Sequence, residues 1–465
     1  MQADERSRIL GTMSMTRLVP KVSIPIMFSM LIQALYNVVD SIFISRFDPH
    51  GLTAVSLAAP FQMLMIALST GMGTGINSLL SRRLGERSPD EARRAAWNGL
   101  LIEVLGSCLF LVFGLFFAGP VMRMVVSEGL VNAGSIQSMG TEYLSIVTLF
   151  STGLFLAIYF ERMLQATGNS VLSMITQLVG AVTNIILDPI MIFGYFGCPQ
   201  MGVAGAAAAT VIGQFVSAIM GFVMNQKKNP ELRLSRRHFE INRSDLRDIF
   251  SVGLPSTIMA SIGSAMNVGM NAILSGFAQS NAALNVMAVY FKLQSFVFMP
   301  VFGLSNGSIA ILAYNFGARM KERVYSCIRV ALTWALTIMA IGTLIFMIFP
   351  GQLMSIFESE AEAEITAQMT SIGIVAMRII SSSFLLAAVG ITLSTLFQAV
   401  GKGTYSMIIS ISRQLVILLP VAWLIARLTG DVYAVWWCFP IAELAALFMS
   451  LYFYRKCDRE MISRL

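Results

Sequence analysis

The chain has 465 residues, 56% of them apolar and only 12% charged, with a formal net charge of +7. So few charges cannot coat a soluble protein of this length, which excludes a water-soluble enzyme or binding domain. The basic residues are spread along the chain and do not gather on one compact domain, which argues against a nucleic-acid partner.

In chain order, apolar stretches long enough to span a bilayer as helices fall near 17–45, 51–80, 96–119, 139–160, 168–195 and 202–225, then near 248–276, 283–312, 325–349, 368–393, 404–427 and 432–454. Residues 1–19 carry Asp4, Glu5, Arg6 and Arg8 and no short apolar core, so they do not read as a removed signal peptide. With the first segment placed in the cytoplasm, the Lys and Arg residues fall almost entirely on that side. The exceptions are Arg46, Arg123 and Arg427 on the far side and Lys292, Arg378 and Arg413 inside spans. The loop carrying Glu358, Glu360, Glu362 and Glu364 is acidic and falls outside. Both termini are therefore expected in the cytoplasm, which requires an even number of spans.

The chain also contains itself twice. Gly71-Met-Gly-Thr-Gly75 with Gly85-Glu-Arg87 returns as Gly303-Leu-Ser-Asn-Gly307 with Gly317-Ala-Arg319, 232 residues later. Gln165-Ala-Thr-Gly168-Asn returns as Gln398-Ala-Val-Gly401-Lys at an offset of 233, and Pro25 and Pro255 stand 230 apart. Each copy holds six spans, so both enter from the same side, a parallel repeat of the kind that builds transporters. The expected fold is an all-α integral membrane protein of twelve transmembrane helices in two six-helix pseudo-symmetric bundles. Residues 1–225 form the N-lobe, 226–248 a basic cytoplasmic linker and 249–465 the C-lobe. The Gly-x-Arg signatures read as helix stops made by a left-handed glycine, and the Gln-Ala-x-Gly pair as tight cytoplasmic turns.

Ionisable residues at bilayer depth are functional candidates by default. In the first span Gln33, Tyr36, Asn37 and Asp40 fall on one helical face. In the fifth, Asn184 and Asp188 stand one turn apart, with Pro189 directly after. At about 1.5 Å per residue both acids lie roughly 27–30 Å from the inner surface, and Thr210 of the sixth span reaches a similar level. Two carboxylates brought together in a poorly hydrated pocket hold a proton or a cation between them. That property suits a carrier coupled to H+ or Na+. At the equivalent positions the second copy has Met270 and Val421, and it carries Lys292, Arg378, Arg413 and Glu443 instead. Arg413 and Glu443 are candidates to pair, while Lys292 and Arg378 either tune a cavity or snorkel to its edge. Glu103 and Glu161 read as interfacial. The 31 Met and 31 Phe residues offer adaptable apolar surface. Cys108, Cys198, Cys327, Cys438 and Cys457 lack paired spacing and only His50 and His238 are present, so neither a disulfide framework nor a metal site is expected.

The runs from Gln33 to Asp40, from Asn184 through Pro189 to Gly194, and from Met201 to Thr210, with the repeated Gln-Ala-x-Gly, resemble the multidrug and toxic compound extrusion (MATE) family. The Leu-Asp-Pro version is similar to its DinF/MepA-like prokaryotic branch. The resemblance covers roughly residues 15–455. It implies export of cationic or amphipathic drugs against an inward proton or sodium gradient, by a protein of the bacterial cytoplasmic membrane. It also implies an N-lobe site of Tyr36, Asp40, Asn184, Asp188 and Thr210, with Gln33, Asn37, Met270, Lys292 and Arg378 as cavity candidates. No cofactor other than the coupling ion is implied, and the chain is expected to act as a monomer. The rival reading is a flippase for lipid-linked oligosaccharides, which the basic residues of the second copy keep open. A membrane enzyme would need a nucleophile or metal constellation, and none is visible.

Overall fold

The computed structural model describes residues 7–126, 132–356 and 363–465, without the side chains of 37, 38, 49, 236 and 363–366. Asn37 and the acidic stretch from Glu358 to Glu364 therefore lie outside the described side chains. Among the described residues the regular structure is entirely helical. The first six spans are α1 (Met15–Phe47), α2 (Pro49–Gly85), α3 (Pro89–Phe116), α4 (Ala133–Leu149 and Thr152–Ala166), α5 (Ser170–Phe193) and α6 (Val203–Lys228). The second six are α7 (Arg243–Leu274), α8 (Ser280–Gly317), α9 (Lys321–Ile348), α10 (Ala363–Ser381 and Phe384–Ala399), α11 (Gly403–Thr429) and α12 (Val432–Ile462). Among the described residues ten are single helices long and apolar enough to cross a membrane; α4 and α10 are broken pairs bent by 46° and 47°, and counting each as one span gives twelve. The two breaks occupy equivalent places in the repeat.

The helices form two six-helix bundles. The outward surfaces of α3 and α12 expose Leu105, Leu109, Phe116 and Phe448, an apolar face suited to lipid and costly in water. The lobes meet where α2 packs on α7 and α1 packs on α8. The repeated glycines make this contact possible. A Cβ on Gly71 would collide with Thr257, and one on Gly75 with the Ile249 carbonyl. In the second copy Gly303 lies against the Met27 backbone and Gly307 against Ser23. Small residues let two backbones approach where larger ones would hold them apart.

One expectation is corrected. Gly85 and Gly317 are helical, and the left-handed residues are Arg87 (φ 57°) and Arg319 (φ 56°). Glycine is needed at 85 because a Cβ would run into the Tyr314 carbonyl of α8, and at 317 because one would run into the Arg82 carbonyl of α2. The two contacts are reciprocal across the pseudo-two-fold axis. The Gln-Ala-x-Gly segments are tight turns, with Gly168 at φ 77° and Gly401 at φ 81°. The Gly168 N–H donates to the Gln165 carbonyl at 2.9 Å and the Asn169 N–H to that of Leu164 at 2.9 Å, the paired bonds of a Schellman stop.

Both terminal segments lie at the glycine-contact end. Arg323 donates to the carbonyls of Leu10 and Met13, each at 2.9 Å, and the neighbouring Tyr325 donates to Asp458 in the last turns of α12. Ion pairs join the lobes at the same end, Arg82 to Asp248 and Arg94 to Asp245, the latter at 3.0 Å. The segment between α6 and α7 is docked against α3. Trp97 donates to the Ser235 carbonyl at 2.9 Å, Asn98 to that of Glu240 at 3.0 Å, and Leu232 is fully buried.

Candidate ion and substrate site

A cavity of about 120 Å³ opens in the N-lobe between α1, α2, α4, α5 and α6, with Asn306 of α8 at its edge. That is room for a cluster of waters or a small cationic group. Gln33 and Tyr36 reach it from α1, Asn184 from α5 and Thr210 from α6. α1 presents them because positions 33 and 36 are one turn apart, and α5 presents Asn184 and Asp188 on one face for the same reason. Gly180 and Gly213 let α5 and α6 touch, each lying against the other's carbonyl. This close approach brings Thr210 to Asn184.

Asn184 Nδ2 donates to Asp188 Oδ1 at 3.2 Å and to Thr210 Oγ1 at 3.3 Å. Asp188 is fully buried. Asp40 and Asp188 lie close enough to repel each other, and Tyr36 interacts electrostatically with both. Three oxygens, Asp40 Oδ1, Asn184 Oδ1 and Asp188 Oδ2, are buried with no hydrogen-bond partner. Unsatisfied buried acceptors are costly and call for an explanation. An all-oxygen acceptor set of two carboxylates and an amide fits a proton or a hard monovalent cation. Groups of three or more His, Cys, Asp or Glu able to hold a metal are absent among the described residues.

The structure adds residues that sequence reasoning passed over. Tyr143 of α4 interacts electrostatically with Asp40, Tyr36 and Asp188, and its hydroxyl donates to Gln62 of α2 at 3.2 Å. Its place in the fourth apolar span, next to Glu142, was the only signal. Glu103 and Glu161 are not interfacial: Glu103 is fully buried and Glu161 lines the cavity. Arg162, placed by the positive-inside count in a cytoplasmic turn, is 5% exposed and lines the same cavity. The cause is that the last turns of α4 face the lobe interior over Gly73.

The C-lobe candidates do not line this cavity. Met270 is fully buried in the C-lobe core. Lys292 has an exposed side chain on α8. Arg378 is exposed beside the break in α10 and donates to the Met347 carbonyl at 3.3 Å. Arg413 and Glu443 do pair, at 2.6 Å, and Arg413 sits in a π-helical turn, Ser412–Leu418, inside α11.

Two like six-helix lobes with a polar cavity in one of them define a multi-pass membrane carrier. The MatE family profile matches residues 25–190 and 255–424, one match in each lobe, and the chain belongs to that family of transporters. It is 25% identical over 431 residues to the multidrug export protein MepA of Staphylococcus haemolyticus, covering 92% of this chain and 91% of that protein. MepA of Staphylococcus aureus is likewise 25% identical over 439 residues, 94% of this chain and 93% of that one. Among solved structures, MATE in complex with MaL6 shares the fold at a TM-score of 0.90 and 24% identity, covering 99% and 100% of the two chains. A MOP superfamily transporter from Pyrococcus furiosus, described as having a binding pocket of reverse polarity, shares it at 0.88 and 24% identity over 98% of each.

Proposed function

We propose that this protein is a cation-coupled antiporter that exports cationic or amphipathic organic compounds by alternating access. Uptake of a proton or a sodium ion at Asp40 and Asp188 drives export. The observation that carries this reading is the trio of unpartnered buried oxygens from Asp40, Asn184 and Asp188, on residues whose equivalents Met270 and Val421 are not acidic. Charge repulsion keeps two neighbouring carboxylates from both ionising cheaply, so occupancy by a cation is favoured. Binding changes how α1 is held against α5, and α1 also packs on α8 of the other lobe, a mechanical route from ion to lobe contact. Membership of a family whose curated relatives export multiple drugs supports the substrate class.

In this reading both termini face the cytoplasm of a bacterial cell and the protein sits in the cytoplasmic membrane as a monomer. The lobes, shut together at the terminal end, then represent an outward-facing state. Lys292, Arg378 and Arg413, which kept a lipid-linked sugar substrate open, add nothing to the N-lobe cavity, and Arg413 is engaged by Glu443. The test is Asp40→Asn in a whole-cell dye-efflux measurement at matched protein level. Efflux is expected to fall at least tenfold; undiminished efflux refutes the coupling role.

A further inference from the structure

The N-lobe cavity has a second polar end. Glu161, Arg162 and Gln177 line it together with Tyr36 and Asn184, and Glu103 of α3 lies within electrostatic reach of Arg162. Glu103 is fully buried; its Oε2 accepts from Ser69 Oγ at 2.9 Å, and its Oε1 has no hydrogen-bond partner. Arg162 Nη1 donates to Gln165 Oε1 at 2.9 Å, while its Nε is buried and unpartnered. Glu161 accepts from Gln165 Nε2 at 2.7 Å and from Gln177 Nε2 at 3.3 Å, and Gln177 Oε1 is left without a partner.

Charge does not balance here. The titratable and charged groups facing the cluster are Glu103 from α3 and Tyr159, Glu161 and Arg162 from α4, while α2 and α5 contribute neutral Ser69, Ser173 and Gln177. Tyr159 is neutral and donates to the Ala96 carbonyl at 2.6 Å. Two carboxylates against one guanidinium leave one negative charge uncovered in a buried site, which is costly unless a cation joins it. The second copy holds none of this: Ala335, Ser394, Thr395 and Ser410 stand where Glu103, Glu161, Arg162 and Gln177 stand in the first. Even Gly73, whose Cβ would press within 3.0 Å of Arg162 Cγ, is Ser305 in the second copy. Room for the arginine and the acids around it occur together, in one lobe only.

We propose that Glu103, Glu161 and Arg162 form a second cation site of the N-lobe, which takes up one proton or one sodium ion per transport cycle. The ion neutralises the excess carboxylate, and Arg162 serves as the built-in countercharge for the other. The site shares its cavity with Tyr36, Asn184 and Thr210, and Asn184 donates to Asp188, so polar groups connect the cavity to the Asp40 and Asp188 pair. The inference rests on the lobe being ion-coupled but uses none of the same side chains.

The experiment uses the full-length protein in proteoliposomes loaded with ethidium. The imposed gradient that just halts dye export gives the number of ions entering per dye leaving, in separate proton-only and sodium-only arms. In the arm that drives the wild type, Glu103→Gln is expected to lower that number by one while export persists. Glu161→Gln neutralises the same cluster and is expected to do likewise, so it replaces Glu103→Gln should that variant fail to fold. Asp40→Asn, measured in parallel for loss of gradient-driven export, reports on the Asp40 and Asp188 site alone, which separates failure of one reading from failure of the other. An unchanged number in both glutamate variants overturns the proposal. So does a wild-type number of one that Asp40→Asn abolishes, since no ion is then left for the second site.

Discussion

At the scale of single residues, what distinguishes this protein is where charge is tolerated away from water. Arg413 and Glu443 form a 2.6 Å pair with side chains only 25% and 16% exposed. Removing one partner strands the other, so Glu443→Ala is expected to cost about 3–5 kcal/mol. The double change Arg413→Met with Glu443→Leu is expected to recover most of that, because no charge remains to be desolvated. Unfolding midpoints of the purified protein in detergent check this, and equal losses in the single and double variants contradict it. The sequence allowed this pair to be anticipated, because two opposite charges in neighbouring apolar spans have few other options. Asp40, Asn184 and Asp188 were legible for a similar reason, since helical spacing puts the relevant groups on one face. Glu103 and Arg162 were not. Residues near the end of a span look the same in sequence whether they face headgroups or the lobe interior, and only the packing of α4 over Gly73 decides it.

At the scale of helices and turns, the repeated motifs have two physical uses. One is close approach. Gly85 and Gly317 lie against carbonyls of the opposite lobe, so Gly85→Ala is expected to loosen that end of the molecule. Spin labels at Asp90→Cys and Glu322→Cys report the separation across it. A new, longer-distance population is expected in Gly85→Ala and again in Gly317→Ala; an unchanged distribution in both contradicts the role assigned to these glycines. The other use is chain reversal. Gly168 is left-handed at φ 77°, and Gly168→Ala is expected to cost about 1–2 kcal/mol through its backbone conformation. Arg87, left-handed at φ 57°, already bears that strain, so Arg87→Gly is expected to cost nothing or to stabilise. Thermal midpoints of the two variants test the contrast. The sequence marked where the chain turns but not which residue of Gly85-Glu-Arg87 is left-handed, because the glycine is reserved for the Tyr314 carbonyl of the other lobe, a partner that only the tertiary fold supplies.

At the scale of the whole molecule, two copies share a scaffold and divide the labour. Twelve spans, two matching helix breaks and the glycine contacts are common to both halves. The acids in and around the cavity, Asp40, Glu103, Glu161 and Asp188, belong to the first half alone, and the second half offers Met270, Ala335, Ser394 and Val421 in their places. An asymmetric pair of symmetric lobes suits a machine in which one lobe senses the ion and the shared interface converts that into opening at one face or the other. Coupling at Asp40 and Asp188 is the central claim. It is tested most directly by substrate efflux from proteoliposomes under separately imposed proton and sodium gradients, with wild type and Asp40→Asn side by side. Wild-type efflux driven by at least one of the two gradients, and lost in Asp40→Asn, is the predicted result; efflux indifferent to both gradients, or equally driven in the variant, would contradict it.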